Sequence, residues 1–231
     1  MISVRKAGER GRTKLDWLES RHSFAFGGYV DGEHMGFRTL RVINEDRVAG
    51  GGGFPTHPHR DMEILTYVVE GALEHEDSMG TASVIPAGEL QRMSAGTGVT
   101  HSEYNHSGQN PVHFLQIWIL PDRDGLAPSY EQMKLPADRE AGFLLVGSRD
   151  GRDGSLTIHQ DVDLYSVLLE PGATLRHSPD AGRHVWVQHI SGRSSVNGER
   201  LVPGDGIALS EVADVEMTGE ERTEMLLFDL A

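Results

Sequence analysis

Four residues offer the clearest chemistry in this chain: His57, His59, His101 and Glu103. They stand in two short runs, His57-Pro58-His59 and His101-Ser102-Glu103, each with ligand-type side chains at i and i+2. In a β-strand, positions i and i+2 project to the same face, so each run can aim two donors at one point. Imidazole and carboxylate donors together suit Fe, Cu, Ni, Mn or Zn. Two such strands facing each other would make a metal site. The chain has no cysteine, so no thiolate competes for the ion.

The elements that must position these residues read as strands. Short apolar runs at 37–43, 64–69, 82–85, 114–120, 143–146, 162–169, 184–190 and 223–228 are strand-length, and many carry Val, Ile, Thr or an aromatic. Turn signals separate them: Glu70-Gly71, Pro86-Ala87-Gly88, Pro171-Gly172 and Asn197-Gly198. No long stretch keeps a helical period. Many short strands with close turns indicate an all-β sandwich or barrel. Residues 121–142 break this rhythm, and there the sequence predicts a connector with one short helix over 130–135. The segments YVVEGALEHEDSMGTASVIPAGE and WVQHISGRSSVNGERLVPGDGIALS share a faint pattern, a hairpin leading to a strand that ends at a Pro and Gly step. The expected organisation is therefore two copies of one barrel, 1–135 and 136–231. Only the first carries the clustered ligands.

The spacing Gly51-x5-His57-x-His59-x3-Glu63, then Gly71, resembles the first signature of the cupin superfamily. Pro86-Ala87-Gly88 followed by His101 resembles the second. The segments WLESRHSFAFGGYVDGEHMGFRTLRVINED, THPHRDMEILTYVVEGALEHEDSMG and AGTGVTHSEYNHS further resemble the pirin family, in its bacterial quercetin 2,3-dioxygenase branch. The resemblance is dense in the first half and loose in the second. It implies a bicupin of two tandem jelly-roll barrels, with a metal-binding barrel over 1–135 and a metal-free one over 136–231. It also implies a metal held by His57, His59, His101 and Glu103. Fe(II) is the first expectation for that ion, with Cu, Ni, Mn or Zn also admissible.

Glu63 occupies the place where many cupins put a metal carboxylate. By strand parity it falls on the face of His57 and His59 if the strand stays regular. It then either orients a ligand histidine through the free ring nitrogen or serves as a salt-bridged or solvent-facing glutamate. Pro58 removes a ladder donor between the two histidines, which fits an edge or a bend. Gly50–Gly53 permit a tight turn or a close approach. They are no phosphate-binding loop, since no Lys-Ser/Thr follows. His22, His34, His75, His106 and His113 read as packing or surface residues. His177, His184 and His189 lack the spacing for a second metal site. Phe24, Phe26, Phe37, Phe54, Met62, Met93 and Trp118 read as core ahead of substrate wall.

A formal net charge of -14 repels phosphate backbones and anionic lipid, so neither nucleic acid nor membrane is an expected partner. No apolar run approaches the ~20 residues of a membrane span. The opening run MISVRKAGERGRTKLDWLES has no apolar signal core, so a cytoplasmic location is expected; the chain is also expected to be a monomer.

Four protein ligands on an octahedral ion leave two positions, one for substrate and one for dioxygen or water. The resemblance implies a dioxygenase that opens the central ring of a flavonol such as quercetin with O2 and releases carbon monoxide. In that reaction Glu103 or Glu63 would take the proton of the flavonol hydroxyl. The competing expectation is a regulatory module whose protein partner responds to the metal state. A third is a barrel that the metal only braces.

Overall fold

The computed structural model describes all residues, Met1–Ala231. The chain is almost entirely strand, numbered below in chain order, with two one-turn 3-10 segments at Ala7–Glu9 and Arg152–Gly154. It forms two compact units. One comprises Gly11–Ala137 and Leu156–Gln160; the other comprises Met1–Arg10, Asp138–Ser155 and Asp161–Ala231.

The main boundary between these units falls after Ala137, not between residues 135 and 136, and two segments exchange across it. The first strand, β1 (Ile2–Arg5), pairs antiparallel with β20 (Gly206–Ser210), from Ile2↔Leu209 to Arg5↔Gly206. Its backbone donors and acceptors are thus satisfied within the C-terminal unit. The second segment is Leu156–Gln160, which contains the short β14 (Leu156–Thr157). There the Thr157 N–H donates to Glu131 at 2.8 Å and the His159 N–H to Glu63 at 3.2 Å. Hydrogen bonding, not chain order, decides membership.

The N-terminal unit is a pair of antiparallel sheets. The smaller runs β5 (Gly53–His59), β10 (Val99–Asn105), β7 (Ala72–Asp77), β8 (Ala82–Pro86). The larger runs β12 (Ser129–Lys134), β9 (Glu89–Ser94), β6 (Glu63–Glu70), β11 (Val112–Ile119), β4 (Leu40–Val48), β3 (Leu18–His22), β2 (Gly11–Lys14). Leu18, Val48, Val68, Leu73, Ile85, Val112 and Phe114 come from both sheets and form one apolar cluster. Elsewhere in the larger sheet the alternation places polar groups inward: Asn44 and Asp46 on β4, Gln116 on β11, Thr66 on β6 and Gln91 on β9. Interior positions of a small barrel are usually apolar, so this polar row marks the end that does chemistry.

Residues 130–135 are not helical. Tyr130 to Lys134 belong to β12, paired with β9 from Ser129↔Ser94 to Lys134↔Glu89, and Leu135 follows the strand. Pro128 and Pro136 leave too little chain for a stable helix, and the edge of β9 satisfies the backbone instead.

The C-terminal unit repeats the plan. One sheet contains, in order, β1, β20, β17 (His184–Ser191), β22 (Thr223–Leu230), β15 (Val162–Leu169) and β13 (Gly142–Ser148). The other runs β16 (Thr174–His177), β21 (Val215–Gly219), β18 (Ser194–Val196), β19 (Glu199–Leu201). The β18–β19 hairpin turns on Asn197-Gly198, both at positive φ (47° and 84°), as the two-residue hairpin turn requires. Here the inward row is apolar: Val167, Leu169, Val185, Val187, Ile207, Met217 and Leu227 are all fully buried.

Candidate metal centre

β5 and β10 carry the two ligand-type runs and lie side by side. His57 pairs with His101 and His59 with Val99. A bulge between His101 and Glu103 then sets Phe54 opposite Glu103, re-aiming the carboxylate. β5 is the edge of its sheet, so the N–H that Pro58 lacks leaves no internal strand unpaired. The glycine-rich run before it allows close backbone approach. A Cβ on Gly53 would stand 2.6 Å from the Glu103 carbonyl, and one on Gly50 would stand 2.5 Å from the Gln109 nitrogen.

The donors converge. The nitrogens of His57, His59 and His101 lie within 4.8 Å of one another, and a second group of the same tightness joins His101 and Glu103 to His75. His57 Nδ1 is 2.9 Å from the Pro55 carbonyl. Only a protonated Nδ1 can bond there, so the His57 Nε2 carries the lone pair. That Nε2 sits 3.1 Å from His101 Nε2. On its other side, His101 Nδ1 is 3.5 Å from His75 Nδ1, and His75 Nε2 donates to Asp77 Oδ2 at 3.0 Å. With the His75 proton on Nε2, its Nδ1 accepts from His101 Nδ1–H. His101 Nε2 is then also a bare lone pair. Two imidazole lone pairs facing each other at this distance call for a cation between them. Two nitrogens each ~2.1 Å from one ion at right angles stand about 3 Å apart, so the donor set fits a divalent transition metal.

Electrostatics agree. Burial first, then the neighbouring His57, lowers His59 to about 4. Burial, followed by His57, His59 and His75, holds His101 far below the ordinary imidazole range. Both rings are neutral at pH 7, the form that binds metal. Burial raises Glu103, against the lowering effect of the Gln116 hydrogen bond. The Gln116 amide donates to both Glu103 oxygens at 3.1 and 2.8 Å, and the Thr66 hydroxyl lies 3.4 Å from one of them. An uncompensated buried carboxylate is costly, and a cation beside it would relieve that cost.

Glu63 is not part of this cluster. β5 ends at His59, and Asp61 at φ 47° turns the chain before β6 begins at Glu63. Within β6, Glu63 faces opposite to Thr66, whose hydroxyl looks toward Glu103. Its Oε2 instead accepts from Ser94 Oγ at 3.0 Å and lies 3.2 Å from His159 Nδ1. None of these partners is a candidate ligand.

A cavity of about 120 Å³ opens beside the histidines. It is lined by His57, His59 and Glu103, by the aromatics Phe26, Phe54 and Trp118, and by Asp46 and Gln116 among polar groups. Trp118 meets His59 edge-on with ring centroids 5.0 Å apart, and Phe26 meets Trp118 at 5.4 Å. Phe26, Phe54 and Trp118 are therefore wall residues. His22 also lines the cavity, its Nδ1 2.7 Å from Asn44 Oδ1. Neither Asp46 nor Gln116 stands in a spacing that marks it as a cavity residue in the sequence. His75 and Asp77 do carry the same i, i+2 signal as the recognised ligand pairs.

Two barrels of cupin type, one with His57, His59 and His101 drawn together, Glu103 grouped with His101, and an aromatic-lined cavity beside them, are the architecture of a bicupin with a candidate metal centre. Family comparison narrows the class. The Pirin model matches residues 3–119, and that of the quercetinase C-terminal cupin domain matches residues 145–230. The chain belongs to the pirin family. It is 48% identical over 230 residues to a quercetin 2,3-dioxygenase of Escherichia coli K12, covering 100% of this chain and 99% of that protein. The crystal structure of YhhW from Escherichia coli superposes with a TM-score of 0.97 at 48% identity, covering 100% of this chain and 98% of that one. The structure of bacterial pirin YhhW in complex with nickel(II) gives 0.96 at 47% identity, covering 100% and 99%. No helix is long and apolar enough to cross a membrane.

Proposed function

We propose that this protein is a metal-dependent dioxygenase that cleaves the central ring of flavonols such as quercetin with O2 and releases carbon monoxide. The observation that carries the proposal is the clustering of His57, His59 and His101, with Glu103 grouped to His101, beside a cavity that His57, His59 and Glu103 line together with Phe26, Phe54 and Trp118. We assign those four residues as the ligands and Fe(II) as the ion. The 48% identity to a quercetin 2,3-dioxygenase supports the substrate class. A divalent transition metal held there would supply Lewis acidity toward a bound hydroxyl and redox exchange with dioxygen.

The chain's own residues do the rest. The Pro55 carbonyl and the His75–Asp77 pair fix the two imidazoles in the tautomer that presents Nε2. Gln116 and Thr66 hold Glu103 in place. Trp118, Phe26 and Phe54 provide flat apolar walls for a planar aromatic ligand and keep water from its reacting edge. The cavity is smaller than the ~300–1,000 Å³ that encloses a whole ligand, so it takes the hydroxyl-bearing edge and leaves the far ring at the mouth.

The C-terminal barrel, in this reading, holds no metal. Its histidines have separate partners: His177 Nε2 lies 2.7 Å from Asp229, His184 Nδ1 2.8 Å from Ser210, and His189 Nε2 3.1 Å from Ser194. We place the protein in the cytoplasm, acting on a small flavonol-like substrate as a monomer. The deciding experiment is quercetin decay in air by protein loaded with Fe, Cu, Ni or Mn, with carbon monoxide measured in the headspace. Turnover with carbon monoxide release, lost in His101→Ala, supports the reading. A filled site with no turnover for any metal overturns it in favour of a metal-responsive regulatory module.

A further inference from the structure

The reaction needs a group to take the proton of the flavonol hydroxyl, and neither glutamate considered from the sequence is placed for it. Glu103 has both oxygens engaged by Gln116, one of them also near Thr66, and it is itself among the ligands. Glu63 lies on the opposite face of β6, bonded to Ser94 and beside His159. Asp46 is the other carboxylate lining the cavity.

Asp46 sits on β4, paired with Ser20 on β3 and with Phe114 on β11. It is 4% exposed, and its Oδ1 is buried with no hydrogen-bond partner. The Ser20 hydroxyl bonds the same carboxyl. A buried acceptor without a donor is costly in a folded protein. Here the residue that carries it also lines the small cavity that His57, His59 and Glu103 line, so a hydroxyl on a ligand seated there is the donor it lacks.

Resting on the dioxygenase reading above, we propose that Asp46 is the catalytic base, accepting the flavonol hydroxyl proton on its free Oδ1. The O–H bond breaks, the electron pair stays on the flavonol oxygen, and the proton moves to the carboxylate. The same proton leaves with the product after ring opening, so Asp46 is restored each cycle. The groups around it are consistent with this role. His22 from β3, His57 and His59 from β5, and Glu103 from β10 line the same cavity. Glu45 neighbours it on its own strand, and Glu45 and Glu103 both disfavour its ionised form. Burial is the main influence and pushes the carboxyl up to about 7, which suits a group that must both take and return a proton near neutrality.

The test compares wild type with Asp46→Asn and Asp46→Ala, all loaded with the same metal. Asp46→Asn is expected to hold the metal at wild-type stoichiometry and to bind quercetin without oxygen. Its kcat should fall about 100-fold or more. Under anaerobic conditions, wild type should shift bound quercetin to the longer-wavelength absorption of its anion, and Asp46→Asn should leave it in the neutral form. Asp46→Ala should regain turnover with added formate in a concentration-dependent way, a rescue that a packing defect does not show. The proposal is overturned if Asp46→Asn stays within about threefold of wild-type kcat with the same absorption shift, if it loses the metal, or if formate restores nothing. Wild type that consumes no quercetin would overturn the dioxygenase reading itself. An active wild type with an unaffected Asp46→Asn overturns the present proposal alone.

Discussion

His57 and His101 face each other across the β5–β10 ladder with their Nε2 atoms 3.1 Å apart, and each has its other ring nitrogen committed elsewhere. In the proposed reading the pair supplies two of the four protein ligands of the metal. Either His57→Ala or His101→Ala should therefore bring the metal content, by elemental analysis, from about one ion per chain to near zero. Flavonol turnover should fall with it. Full turnover by a metal-free variant would remove the metal from the mechanism.

His75 and Asp77 should matter although neither is assigned as a ligand. Both side chains are fully buried, and they place a carboxylate–imidazole pair behind His101. Outer partners of this kind set tautomer and ring orientation, and their loss typically costs ~10–100-fold in metal affinity. His75→Ala and Asp77→Asn are expected to weaken metal binding by about that factor, read by competition with a chelator, while the far-UV spectrum stays that of a β-protein. Unchanged affinity in both would show that His101 needs no orienting partner.

The pairing of His57 with His59 was legible in the sequence because i, i+2 parity survives wherever a strand is regular, as it is through His57-Pro58-His59, and His101 joins them across the β5–β10 ladder. Parity failed for Glu63 because Arg60–Met62 reverses the chain, with Asp61 at positive φ, and β6 starts a new count. Asp46 was hidden for another reason. Asn44-Glu45-Asp46-Arg47 is a run of polar residues that reads as solvated strand. Only their burial in the folded sheet and their place on the cavity wall show that Asn44 and Asp46 face inward. The exchange of Met1–Arg10 into the C-terminal unit was equally invisible, since it depends on a pairing some two hundred residues away in the chain.

Glu63 should prove structural. It is 1% exposed, and its Oε2 takes the Ser94 hydroxyl and the His159 backbone N–H. Glu63→Gln is expected to leave metal content and kcat within about twofold of wild type. It should lower unfolding stability by about 1–3 kcal/mol, the cost of disturbing buried hydrogen bonds. A large loss of kcat with stability intact would return Glu63 to the catalytic apparatus.

Asp46 should leave a pH signature in the stability of the metal-free protein. Burial raises its carboxyl from 3.8 to about 7, so between those values the unfolded chain has lost a proton that the folded chain keeps. Stability from this group is complete below pH 4 and is lost as pH rises toward 7. The difference amounts to something on the order of 4 kcal/mol. His59 acts in the opposite sense: its folded value of about 4 lies below the unfolded 6.5, so its contribution is lost as pH falls through that interval. Comparing wild type with Asp46→Asn cancels the His59 effect. In urea titrations of chelator-treated protein, Asp46→Asn should gain on wild type from pH 4.5 to about pH 7 and then level off. Equal pH slopes for the two proteins would mean that Asp46 is ionised in the folded state throughout, with an unseen partner for its Oδ1.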